Sequence, residues 1–85
     1  MIRLYYCHPK GDERGLYIIS SSSKGAVHRF SRARHIPHYK IDAERVDIDI
    51  DPDESECIVY PGSVTADIYG ISYSRREAQR RGGDR

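Results

Sequence analysis

Hydrophobic and polar residues alternate along the first seven positions, with Ile2, Leu4 and Tyr6 set against Arg3, Tyr5 and Cys7, and this period of two predicts a half-buried strand. Pro9, Gly11 and Gly15 in "HPKGDERG" then turn the chain. "LYIIS" is a second short β-rich run, and folding it back on the first gives a hairpin with a long loop. The serines at 20 to 23 offer helix N-caps, because a hydroxyl accepts from the free N–H groups of a first turn. The period then changes to 3.6: Ala26, Val27, Phe30 and Ala33 share one face of a helix expected from about Ser23 to Arg34. Gly25 weakens that helix slightly, and "HIPHY" ends it, since a residue before proline avoids helical angles.

Past a connector containing "KIDAE", the segment "RVDIDID" places Val46, Ile48 and Ile50 on one face and Asp47, Asp49 and Asp51 on the other, which predicts a third strand closed by Pro52. "CIVY" predicts a fourth strand, and "YPGS" a type II turn. In "SVTADIYGI", Val64, Ile68 and Ile71 fit a helical face, while Val64, Ala66 and Ile68 fit alternation. A short helix is the preferred reading, because a type II turn splays strands rather than closing a tight hairpin. Ser74 and Glu77 of "SRRE" have the form of a capping box for a last helical segment, and residues 82–85 are expected to be a disordered tail. The sum is an α+β domain over residues 1–81. A small, mostly antiparallel sheet of about four strands, in the order ββαββ, packs one amphipathic helix on one face and carries a short C-terminal helical segment. The aspartates are expected on the opposite, solvated face of the sheet.

Length restricts what such a domain can do. Eighty-five residues form one small domain with room for a modest core, so a deep private active site is not expected. No apolar run is long enough to span a membrane and no leader pattern is evident, which places the expected location in the cytoplasm. Two cysteines, Cys7 and Cys57, are too few for a disulfide framework and read as small buried apolar residues. Seven tyrosines against one phenylalanine and no tryptophan suit partly buried surfaces with a polar rim.

Charge alters the picture more. The net charge of +1 divides into blocks: residues 1–45 hold nine Lys/Arg against four Asp/Glu, residues 46–74 hold none against seven, and residues 75–85 hold five against two. Blocks of this kind present faces of opposite sign that steer partners by field.

Several chemistries compete for these residues. A line of aspartates recurring every ~6.6 Å on one strand face can face a partner and imitate a phosphate backbone; it can equally be a solvated face that discourages edge pairing. Ca²⁺ or Mg²⁺ needs oxygens that converge, and the glycine and closing glutamate of an EF-hand loop are missing. A catalytic carboxylate pair lacks a partner residue or pocket. On the helix, Lys24, His28, Arg29 and Arg32 form a basic stripe that could rest on phosphates or merely be solvated. No aromatic signature of a base-stacking sheet, zinc finger or KH loop accompanies it. "HIPH" sets His35 and His38 three apart, a zinc option only if Cys7 or Cys57 comes near. Cys7 and His8 are strand neighbours pointing to opposite faces and form no nucleophile and base pair. "SSSKG" is not a phosphate-binding P-loop. The chain therefore reads as no enzyme, with no cofactor and no metal site.

The pattern "RLYYC…GLYIISSSSKGAVHRF", followed by "RVDIDI", resembles small phage or mobile-element proteins that inhibit bacterial defence, including anti-CRISPR proteins. That group has no common motif, so the resemblance carries over no residue. It implies a compact domain that occupies a surface of a larger protein complex, such as the basic channel of a CRISPR effector. Asp47, Asp49, Asp51, Asp53, Glu54 and Glu56 would carry the electrostatic contact, with Tyr60 and Tyr69 as candidate aromatic anchors. The alternative is a nucleic-acid-binding accessory protein using Lys24, His28, Arg29 and Arg32 with Arg75 and Arg76 of the C-terminal segment. Either would act as a monomer or homodimer.

Overall fold

The computed structural model describes residues 1–73. Ser74, Glu77, Arg75, Arg76 and residues 82–85, to which the sequence assigned a capping box, a basic patch and a tail, lie outside the described residues. Strands β1 (Arg3–Pro9), β2 (Leu16–Ser20), β3 (Ile41–Val46) and β4 (Cys57–Val59) form one antiparallel sheet in the order β3-β1-β2-β4. Helix α1 (Ser23–Arg34) follows β2, a single 3-10 turn (His38–Lys40) leads into β3, and helix α2 (Val64–Tyr69) follows β4. This is the expected α+β domain with ββαββ order and a second short helix.

The hairpin and the first helix form where the pattern places them. β1 and β2 pair from Arg3↔Ser20 to Cys7↔Leu16. α1 begins after Ser22, whose hydroxyl accepts from the Gly25 N–H at 3.0 Å. It ends with His35 in the left-handed region (φ 57°), whose N–H returns to the Ser31 carbonyl. Ala26 and Phe30 are fully buried beneath the helix and Val27 packs beside them, but Ala33 is exposed, so the apolar face is one turn shorter than its spacing predicts. Gly25 has a packing reason: a Cβ there would stand 2.7 Å from the Ser20 hydroxyl oxygen.

The third strand differs from expectation. It comprises "IDAERV", of which "IDAE" was expected as connector and only Arg45 and Val46 as strand, and it ends at Val46, so "DIDID" lies outside the ladder. The cause is non-local. β1 pairs with β3 from Pro9↔Ile41 to Leu4↔Val46, and close to where β1 begins the partner ladder runs out. The Ile48 N–H then turns back to the Val46 carbonyl at 2.9 Å, as in a γ-turn. Alternation survives without the ladder, with Val46, Ile48 and Ile50 half-buried and Asp47, Asp49 and Asp51 exposed.

The sheet is buried on both faces, which corrects the expected solvated side. Tyr5, Cys7, Leu16, Ile18 and Ile41 pack under α1 with Phe30, while Leu4, Tyr6, Tyr17, Ile19 and Val59 pack on the other face with Ala66 of α2. Successive side chains alternate between these two clusters, as a pleated strand requires. All five residues of β2 are buried, and so are Leu4 to His8 of β1, in place of the half-buried first strand. β2 is also where the sequence runs most continuously apolar, as a two-sided strand should. "YPGS" closes as predicted, with Gly62 at φ 75° and the Ser63 N–H reaching the Tyr60 carbonyl at 3.2 Å. Ser63 caps α2 through the Ala66 N–H.

Candidate functional site

Residues 47–56 run from one edge strand to the other, and their carboxylates have two distinct fates. Asp47, Asp49, Asp51 and Asp53 are exposed. Among the described residues neither the Asp47 nor the Asp49 carboxylate makes a hydrogen bond or ion pair, and the Asp51 carboxylate accepts only the Asp53 N–H at 2.9 Å. Glu54 and Glu56 instead fasten the segment. Glu54 accepts from the Tyr69 hydroxyl at 2.8 Å, and that same oxygen accepts from the Asp51 N–H at 3.3 Å. Glu56 accepts from the buried Ser20 hydroxyl at 3.0 Å; this bond, a contact with the Ser21 backbone and the nearby Arg29 charge hold its carboxyl below the usual range. The six acidic positions singled out by sequence thus divide into four outward charges and two clips.

The two tyrosines divide in the same way. Tyr60 is 55% exposed and available as an anchor. Tyr69 is half-buried and committed to Glu54, which also raises its phenol above the ordinary value. The Tyr69 bridge ties α2 to the acidic segment, so the two form one surface.

That surface has a component the sequence reading missed. Val64 is 75% exposed and Ile68 68%. Four residues apart on α2, they lie side by side, and Tyr60 stands at the turn leading into them. The sequence set Val64 and Ile68 on one helical face without giving its direction; that face points outward, and Ala66 and Tyr69 occupy the inward side. The signal was present in the short side chain of Ala66, which lets so short a helix approach the sheet closely.

The remaining candidates separate. Lys24, His28, Arg29 and Arg32 are all exposed on α1, on the opposite face of the sheet from α2. The His28 and His38 rings meet edge to face at 5.6 Å, whereas His35 is the α1 cap. Among the described residues no three His, Cys, Asp or Glu side chains group as a metal site would require. Cys7 is fully buried, and burial pushes its thiol up to about 12, which makes it a poor nucleophile at neutral pH. His8 is consumed structurally. Its Nδ1 lies 2.9 Å from the carbonyls of both Pro9 and Asp12, and its Nε2 lies 3.0 Å from Glu44 across the β1–β3 pair.

No protein-family model, curated protein or solved structure matches this chain. Its site is thus defined by geometry: one phenol joins α2, with its exposed Val64 and Ile68, to Asp51 and Glu54 of the acidic segment, while Asp47 and Asp49 line a cleft with Arg3 and Arg45. No described helix is long and apolar enough to cross a membrane.

Proposed function

We propose that the protein is a non-enzymatic inhibitor of the anti-CRISPR type, which occupies a basic, nucleic-acid-binding surface of a larger protein complex. The observation that carries this reading is the link through Tyr69 between the acidic segment, whose Asp47, Asp49, Asp51 and Asp53 are exposed, and α2, which with the turn before it exposes Tyr60, Val64 and Ile68. Charge and apolar area have separate tasks in such a contact. Exposed carboxylates steer a basic partner and set register, while desolvated aromatic and aliphatic anchors supply most of the affinity. An acidic loop lacking apolar neighbours would attract any cation; a stripe of Tyr, Val and Ile beside it selects a surface that is basic and apolar together. The loop is prefastened by Glu54 and Glu56, which reduces the ordering cost on binding.

The test is a gel-shift series with a labelled target duplex, a panel of CRISPR effector complexes, and this protein alone or added to each. Loss of one effector's shift, with no shift by this protein alone, is the expected result. The triple reversal Asp47→Lys, Asp49→Lys, Asp51→Lys should restore the effector's shift, and so should Val64→Ser with Ile68→Ser. Inhibition that survives the charge reversal would refute the acidic contact, and effectors that bind DNA unimpeded throughout would refute the effector as target.

A further inference from the structure

The α1 side carries a second surface that the proposed docking role leaves unused. An open groove of about 550 Å³ lies between α1 and the edge strand β4, lined by Gly25, His28, Arg29, Arg32, Glu56 and Ile58. Its volume falls within the roughly 300–1,000 Å³ of ordinary ligand clefts. Charge, backbone and shape together restrict what fits.

Helix α1 contains no carboxylate, and Arg29 and Arg32, three residues apart, rise only ~4.5 Å along the same side. Among the described residues β4 pairs with β2 alone. Where Tyr17 faces Val59, the Tyr73 hydroxyl accepts from the Tyr17 N–H at 2.8 Å and donates to the Val59 carbonyl at 2.5 Å. Val59 therefore turns its carbonyl toward β2, and by the alternation of an antiparallel ladder Ile58, one residue back, turns its N–H and C=O to the outer edge. The Ile58 side chain meanwhile packs toward α1, giving the groove an apolar floor.

We propose that this groove takes an extended acidic peptide segment of a partner protein, added as a strand along β4 with alternate carboxylates on Arg29 and Arg32. Same-face residues of a strand recur every ~6.6 Å, a separation that two long guanidinium stems span, and charge-assisted contacts of this kind are the strong ones. The single outward rung at Ile58 sets the register of the added strand, as in other edge additions. A nucleic-acid strand is also negative, yet its sugar-phosphate backbone brings no repeating N–H and C=O pair to Ile58. It would also run its phosphates past Glu56, next to which a peptide can set an uncharged residue. This surface is independent of the α2 side, so the protein would hold two partners at once.

Fluorescence anisotropy on the full chain tests the assignment with three labelled probes: a pentapeptide of alternating glutamate and valine, the same peptide N-methylated at its central residue, and an oligothymidylate of matching charge. The plain peptide should bind, and N-methylation should weaken it about tenfold, the worth of one backbone hydrogen bond at its upper range. Arg29→Glu with Arg32→Glu, both exposed and remote from the core, should abolish binding while circular dichroism stays unchanged. The Ile58 amide should shift on titration in a ¹⁵N correlation spectrum. Absence of peptide binding, binding of the oligonucleotide in preference to the peptide, indifference to N-methylation, or an unmoved Ile58 amide would each overturn the proposal.

Discussion

The two faces of the sheet are held by different physics. Under α1, burial does the work: a twelve-residue helix with a hydroxyl cap sets Phe30 and Ala26, both at zero exposure, over five buried strand residues. Under α2, a six-residue helix buries only Ala66, and hydroxyls complete the attachment, with Tyr69 on Glu54 and Tyr73 between β2 and β4. An apolar face tolerates little change of volume. A face joined by hydroxyls keeps its packing when one bond is removed but loses position locally. The contrast accounts for where the exposed stripe lies, since a helix that contributes little to the core can direct its apolar residues outward.

The contrast is broken most severely from the α1 side. Phe30→Ala should destabilise by about 3–5 kcal/mol, the range for large aromatics in cores. Against the marginal stability of a small domain, urea denaturation should show a greatly reduced midpoint.

Alkali should act next, on both faces. Burial pushes the Cys7 thiol up from 9.0 to about 12 and the Tyr73 phenol up from 10.0 to about 12. Both groups hold their protons more tightly when folded, so their contribution is complete below pH 9. Unfolding releases protons above that point, and stability falls as pH rises from 9.0 toward about 12. Thermal melts across this window should decline steadily, and Cys7→Ala should flatten the first part of the decline.

Tyr73→Phe tests the α2 side directly. It removes the hydroxyl that bridges the Tyr17 N–H and the Val59 carbonyl at a largely buried rung, a loss of about 1–3 kcal/mol. Amide exchange should rise most at Tyr17 and along β4. Tyr69→Phe should do less to the whole molecule: the acidic segment separates from α2, the Asp51 amide exchanges faster, and the global melting temperature hardly moves. Smallest of all, Val64→Ser with Ile68→Ser should change stability within about 0.5 kcal/mol, while partner binding is lost. A large stability change there would mean that the stripe is core after all.

The parts legible in the sequence share a local cause. Ser22 before a 3.6 period defines the start of α1, and Pro61-Gly62 the turn before α2. What was misread depends on distant partners. "VDIDID" alternates more sharply than "IDAERV", yet β3 is the weaker-patterned stretch, because the span of β1 decides which residues find a ladder. Likewise Val64 and Ile68 have a helical spacing that cannot say which way it faces; Ala66 and Tyr69 decide it by fitting the sheet. Of the acidic site, the exposed aspartates follow from alternation, whereas the clips at Glu54 and Glu56 require hydroxyls 15 and 36 residues away.

The phenol of Tyr73 has a consequence for how the chain is made. A rung of the β2–β4 pairing is supplied from 14 residues beyond Val59, so β4 cannot be locked while the polypeptide still ends at Gly70. On the ribosome, where chains fold from the N-terminus as they emerge, β1, β2, α1 and β3 can assemble first. The last strand then waits, its edge open, for a residue synthesised after it. Tyr73 is the latch of this domain, and a chain stopped just short of it would carry an unfastened β4 and an α1 side still lacking the Tyr73 ring.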